Sequence, residues 1–338
     1  MDAKTRAIDV FPIVVMGALF VFVDLIAFWV TGPFQAAGEV AYVGSPSSPI
    51  NLLFFFVVLV VFTAIILLIA KYGKTRLIQA IFLGSTGLLG IYVFYPLFYP
   101  ALFPSLGQTL ALGSNLFVPI LGYAPDLAWE LSLLLAVAIM AAIVALLVKY
   151  PEWYIVDASG IITAIGAVAM LGISLTILIV LLLLIGMAVY DAISVYKTKH
   201  MIDLADTLVD LKLPILFVIP KSREYSLVKE TKGLKEKLKE GGKRDAFFMG
   251  VGDIVIPGIL AAAAFHNIQP TIAQPNLGFL VGLSVIIGTL VGFAFLMVFV
   301  LRGKPQAGLP FLCPGAILGY VIASLILTHG LAALSLAF

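Results

Sequence analysis

The sequence predicts an all-α polytopic membrane protein of nine transmembrane helices, with the N-terminus cytoplasmic and the C-terminus outside. Three observations carry that prediction. Apolar stretches recur from end to end of the 338-residue chain, and each reaches the roughly 18 residues needed to cross a ~30 Å hydrocarbon core. Charged residues make up only 11% of the chain, against ~25% in soluble domains. A soluble fold of this composition would need several helices apolar on every face. Finally, a nine-helix count puts all 20 lysines and arginines on one side, which the positive-inside rule makes cytoplasmic.

The apolar segments run over residues 10–31, 50–70, 77–97, 127–148, 155–172, 174–196, 246–266, 277–301 and 308–333. Lys4 and Arg6 precede the first, whose apolar stretch is long for a cleaved signal peptide and fits a retained helix. Residues 98–126 hold Pro100, Pro104, Pro119 and Pro125 with Gly107, Gly113 and Gly122. Such punctuation reads as an interfacial or re-entrant loop, not a tenth span. A span there would also move Lys149 and the large basic loop to the wrong side. Residues 158–196 would make a single helix of about 58 Å, nearly twice a bilayer core, so the chain must fold back. Gly172–Ser174 is the expected turn.

These segments divide the chain into a six-helix portion (1–196), a cytoplasmic basic loop (197–245) and a three-helix portion (246–338). The loop opens with a helical pattern, KTKHMIDLADTLVDL, and continues into LPILFVIP, Leu213–Pro220. The β-branched and aromatic content of LPILFVIP, bounded by Pro214 and Pro220, predicts a short edge strand. Residues 229–244 are lysine-rich and read as a solvated loop.

Charge inside the apolar segments is where function is expected, because an ionisable group at membrane depth is costly. Asp191 lies in LLLLIGMAVYDAISVY and Asp253 in FFMGVGDIVIPGILAAAA, on the segments entering and leaving the basic loop. With Tyr196 and Asp245 as water boundaries, helical rise places both aspartates roughly 8–12 Å below one face. Two carboxylates held about 3 Å apart share a proton. One is then a base for water and the other an acid for a leaving amine. Gly250, Gly252, Pro257 and Gly258 around Asp253 would let the helix loosen or another backbone approach. Gly278/Gly282, Gly288/Gly292 and Gly315/Gly319 are GxxxG pairs and read as helix packing.

The pair Tyr190-Asp191 and the run Gly250-Val251-Gly252-Asp253, continued by Ile254–Gly258 (IVIPG), resemble the presenilin and signal peptide peptidase family of intramembrane aspartyl proteases. Nine helices and a large loop between the sixth and seventh extend the resemblance over nearly the whole chain. It implies an endopeptidase acting within transmembrane segments, with Asp191 and Asp253 catalytic and Tyr190, Gly250 and Gly252 shaping the site. The family's Pro-Ala-Leu segment is altered here to Ala307-Gly308-Leu309, with a proline only at Pro310. The resemblance assigns Gly308, Leu309 and Pro310 to active-site shaping. It also gives the strand a role: Leu213, Ile215, Leu216, Phe217 and Val218 would pair with an extended substrate by main-chain hydrogen bonds. Proline at Leu216 or Val218 should then abolish cleavage.

The implied partners are single-span membrane proteins or signal peptides, in a cell-membrane bilayer. No nucleic acid, metal, cofactor or obligate protein partner is expected, and self-association is left open. Asp24, the third intramembrane acid, has no partner visible in the sequence; a structural role, such as a hydrogen bond to a neighbouring helix, is the favoured reading over an ion path. Glu130 favours a helix start. His200, His266 and His329 have no metal-site spacing. Cys313, the single cysteine, reads as a small packing residue. No GxxxxGK[ST], HExxH or GxSxG signature occurs. The rival class is an ion-coupled transporter or cation channel using the three aspartates. Against it, the two motifs flank one loop and the halves show no repeat. A prepilin-type GxGD peptidase fits neither the helix count nor the Tyr-Asp pair.

Overall fold

A computed structural model describes residues 3–38, 41, 45–73, 75–102, 127–198, 214–221, 225–227, 246–268, 275–301 and 306–327. Nine apolar helices occur among them: α1 (Ala3–Ala36), α2 (Pro49–Lys71), α3 (Thr75–Leu102), α4 (Leu127–Lys149), α5 (Trp153–Ser174), α6 (Ile177–Ala192), α7 (Val251–Asn267), α8 (Leu277–Val300) and α9 (Leu309–Leu327). Eight contain a stretch long and apolar enough to cross a membrane, and α7, with 17 residues, is the shorter ninth. Two strands, β1 (Leu216–Pro220) and β2 (Ala246–Gly250), form an antiparallel ribbon immediately before α7.

Local sequence accounts for several boundaries. α2 starts on Ser48, whose hydroxyl accepts the Ile50 amide, with Pro49 in the first turn where its missing N–H costs nothing. Its end is set by Gly73, which takes a left-handed φ of 67° and returns its N–H to the Ala70 carbonyl. The fold-back between α5 and α6 falls at Leu175–Thr176, not at Gly172–Ser174 as expected. Gly172 stays helical because its bare Cα faces α7. A Cβ there would run into Ala262 side chain and backbone.

α7 is the hub. It packs against α1, α5, α6, α8 and α9, and Ala261 to Ala264 are wholly buried. α8 and α9 meet backbone to backbone. A Cβ on Gly288 would strike the Gly315 carbonyl, and one on Gly292 the Phe311 carbonyl. A Cβ on Gly278 would likewise meet the Phe265 carbonyl of α7, and one on Gly282 the Phe28 ring of α1 and the Ala261 carbonyl of α7. All three glycine pairs are thus packing seams, where dispersion between close backbones replaces the hydrophobic driving force that lipid cannot supply. α2 is the opposite case: most of its length is exposed, with Ile50, Leu53, Phe54, Val57 and Val61 turned outward.

Two corrections concern the ribbon. The edge strand expected at Leu213–Pro220 is a strand only over Leu216–Pro220, and it is paired there, Leu216 opposite Gly250 and Pro220 opposite Ala246. The partner comes from residues 246–250, which the hydropathy reading assigned to the seventh helix. AFFMG is a short, bulky apolar run ended by glycine, and such a run cannot be told from a helix start by apolarity alone. The loop expected at 98–126 begins later than the prolines suggested, since α3 continues to Leu102; its remainder at 103–126, Leu213, residues 199–212 and the lysine-rich 229–244 stretch lie outside the described residues.

Candidate active site

Asp191 sits one residue from the end of α6, and its surroundings come from the start of α9. The Leu309 amide donates to Asp191 Oδ2 at 3.1 Å, and the Gly308 amide lies beside the same carboxylate. Local sequence explains why these amides are available. The first N–H groups of a helix have no intrahelical acceptor, and Pro310 in the first turn contributes none. Gly308 caps α9 through its carbonyl, which accepts from Phe311 and Leu312. Its N–H side is left toward the aspartate.

Asp253 occupies the first turn of α7, three residues after β2 ends. The Gly250 amide bonds its carboxylate, and a Cβ on Gly250 would touch Oδ2 at 3.4 Å. From the other side, a Cβ on Gly308 would lie 2.7 Å from Asp253 Oδ1. The segment before α9 therefore reaches both aspartates, bonding one and pressing a bare Cα against the other. The carboxylates are near enough to interact electrostatically. Because residues 246–250 are extended, the depth count by helical rise does not apply on the Asp253 side, yet the two acids are near enough to interact. Pro257 cannot donate to the Asp253 carbonyl four residues earlier, which loosens the helix at the acid.

The other expected site residues are distributed as follows. Tyr190 is half-buried beside Asp191. Gly252 is exposed and has open space where a side chain would stand, so it leaves room next to Asp253 without touching it. Leu309 is buried and Pro310 half-buried at the head of α9. Ile215 accepts from the Val251 amide at 2.8 Å, which fixes the ladder phase. Phe217 and Ile219 then bond β2, while the main-chain groups of Leu216 and Val218 point away from it. Leu213 lies outside the described residues.

Several residues near the site escaped the sequence reading. Asp157, in the second turn of α5, accepts the Val218 amide at 2.8 Å and ties the outward edge of β1 to that helix. Glu152, just before α5, accepts from the Ser226 hydroxyl at 2.7 Å and the Leu227 amide at 3.1 Å. Tyr196, used only as a boundary marker, donates to Gln306 Oε1 at 2.8 Å and accepts the Ala307 amide at 3.3 Å. Cys313 is buried as expected, but within electrostatic range of both aspartates. An acid at a helix start is ordinarily explained by the dipole, which hides Asp157 and Glu152. No local pattern marks Tyr196 or Gln306, because their partners are more than a hundred residues away. Asp24 is buried, and its Oδ1 has no hydrogen-bond partner among the described residues.

Comparison with known proteins joins this geometry to a lineage. Residues 17–329 match the family described as "Signal-peptide peptidase, presenilin aspartyl protease". A solved structure described as a presenilin family intramembrane aspartate protease, in space group C222, is 32% identical. It covers 93% of this chain and 99% of its own, with a TM-score of 0.61. A second, in space group P2, is 33% identical over 92% of this chain and 96% of its own, with a TM-score of 0.59. No curated protein matches the chain. With a family match over most of its length and relatives of this identity and coverage, the chain belongs to the presenilin and signal peptide peptidase family of intramembrane aspartyl proteases.

Proposed function

We propose that Asp191 and Asp253 are the catalytic pair of this multi-pass membrane protease. The observation that carries the assignment is the shared segment: Gly308 and Leu309 contact both carboxylates and hold them at one place. In this reading one carboxylate takes a proton from water, which attacks the scissile carbonyl. The other gives a proton to the departing amine. The pair carries one shared proton between them. Single-span membrane proteins or signal peptides are the proposed substrates, and the charge distribution supports a cytoplasmic N-terminus. Nothing in the comparisons points toward transport.

The ribbon is the proposed receiver of substrate backbone. An extended segment adding to a sheet edge makes its main-chain hydrogen bonds there. On β1 that edge is engaged, since the Val218 amide is held by Asp157. On β2 the outward groups are those of Phe248, opposite Val218, and this strand runs directly into Gly250 and Asp253. We therefore place the incoming strand on β2, with Ile215, Leu216, Phe217 and Val218 backing it, instead of on β1 itself.

Purified protein in detergent, a single-span peptide and mass spectrometry of the products test the pair. Cuts inside the apolar segment should fall by a factor of about 100 to 10,000, the range of general acid–base catalysis, in both Asp191→Asn and Asp253→Asn. Cleavage surviving in either variant removes that residue from the mechanism.

A further inference from the structure

We infer that Tyr196 is a positioning residue for the aspartate pair, acting through the altered segment at 306–309, and that a π turn puts it there. The inference rests on the reading of Asp191 as catalytic. α6 does not continue regularly beyond Ala192: residues Ile193–Thr198 form a π turn. In an unbroken α-helix five residues turn about 500°, which would leave Asp191 and Tyr196 about 140° apart. A turn that closes one residue later brings residues five apart toward a common face. The hydrogen bonds agree, because both side chains engage the same stretch of chain before α9.

The two side chains engage amides two residues apart on that segment. Tyr196 bonds the Ala307 amide at 3.3 Å while Asp191 bonds the Leu309 amide at 3.1 Å. The Tyr196 hydroxyl has both functions in use, accepting from Ala307 and donating to Gln306 Oε1 at 2.8 Å. Gln306, Ala307 and Leu309 are thus docked in register against the end of α6, with Gly308 between them against Asp253. The proline of the family's Pro-Ala-Leu segment would stand at Ala307 and could not donate the amide that Tyr196 receives. The altered segment and the tyrosine therefore form one device. It fixes which oxygen of Asp191 is occupied by backbone and which is left for water.

The test uses the full-length protein in detergent and the peptide-cleavage assay, with Tyr196→Phe, Gln306→Leu, Gln306→Glu and the double variant Tyr196→Phe/Gln306→Leu. Asp191→Asn runs in parallel. The phenylalanine and leucine variants should each lose about tenfold in kcat, the scale of one hydrogen bond, with KM unchanged and a shifted pH–rate profile. The double variant should lose little more than either single change. Gln306→Glu, which keeps an acceptor, should retain most of the rate. Thermal unfolding reports whether each variant is folded. If Tyr196→Phe cleaves like wild type while Asp191→Asn is inactive, the tyrosine inference is overturned and the catalytic assignment survives. If Asp191→Asn is active, the reading on which the inference rests fails. A fall in rate matched by loss of folded protein, with the pH profile unmoved, also overturns the inference.

Discussion

Two carboxylate sites within the helix bundle share a feature and differ in what surrounds it. At the proposed catalytic pair, the Cα of Gly308 is pressed against Asp253, and backbone amides of Gly250 and Leu309 are directed at the two acids. Some distance along α7, the Cα of Gly258 is pressed against Asp24 in the same way, so closely that a Cβ would overlap Oδ1. There, however, Oδ1 finds no donor among the described residues. Asp24 and Asp191 are both buried, so burial of an acid is not what distinguishes the proposed site. The distinguishing property is a supply of donors from chain ends: the start of α9, where the first N–H groups have no helical acceptor, and the junction of β2 with α7. Asp24 faces the middle of α7, where backbone N–H groups are already committed to the helix.

Adding one methyl group at each glycine sharpens this contrast. Gly308→Ala would set a Cβ 2.7 Å from Asp253 Oδ1, too close to stand without moving either the carboxylate or the head of α9. A displacement of this kind in an active site can cost about a hundredfold in rate. The expected result is that loss in kcat with the melting temperature within a few degrees of wild type, read by the peptide assay and thermal unfolding. Near-wild-type activity would mean that the contact between Gly308 and Asp253 is not part of the working geometry.

The sequence conveyed the bundle well because a membrane imposes a simple rule on it: every span must be long, apolar and free of lysine or arginine. The same rule concealed the ribbon. Ala246–Gly250 is as apolar as a helix start, and only its pairing with Leu216–Pro220 reveals it as a strand. Asp191 and Asp253 were legible because an acid is conspicuous among leucines and valines. Asp157 and Tyr196 were not, since each lies near an apparent interface where polar residues need no explanation. Their meaning depends on Val218 and Gln306, which sequence spacing cannot bring near.

The two edges of the ribbon offer the next comparison. Both Val218 and Phe248 direct their amides away from the other strand, so proline at either position removes an outward donor and leaves the ladder between strands intact. Phe248→Pro should abolish peptide cleavage if substrate adds to β2. Val218→Pro should cost only about tenfold, because what it removes is the bond to Asp157. Asp157→Ala should behave like Val218→Pro, and combining them should add little. Asp157→Asn, which keeps an acceptor oxygen, should stay near wild type. If Val218→Pro proves as damaging as Phe248→Pro, the substrate strand belongs on β1 and the placement on β2 is wrong.

The smallest effects are expected at Asp24, and there they should appear in stability alone. A buried polar group without a partner costs about 1–3 kcal/mol, whereas trimming aspartate to alanine leaves only a small void. Asp24→Ala should therefore melt at or slightly above the wild-type temperature, with cleavage unchanged. Gly258→Ala should lower the melting temperature by several degrees, since its methyl group would meet Asp24 and also lie 3.0 Å from Val168 Cγ2. Joining the two substitutions should recover most of that loss, because removing the carboxylate makes space for the methyl. Such coupling is expected of residues in contact. If Asp24→Ala instead abolishes cleavage while the protein stays folded, Asp24 takes part in the reaction. Donor supply would then no longer separate the working acids from the packed one.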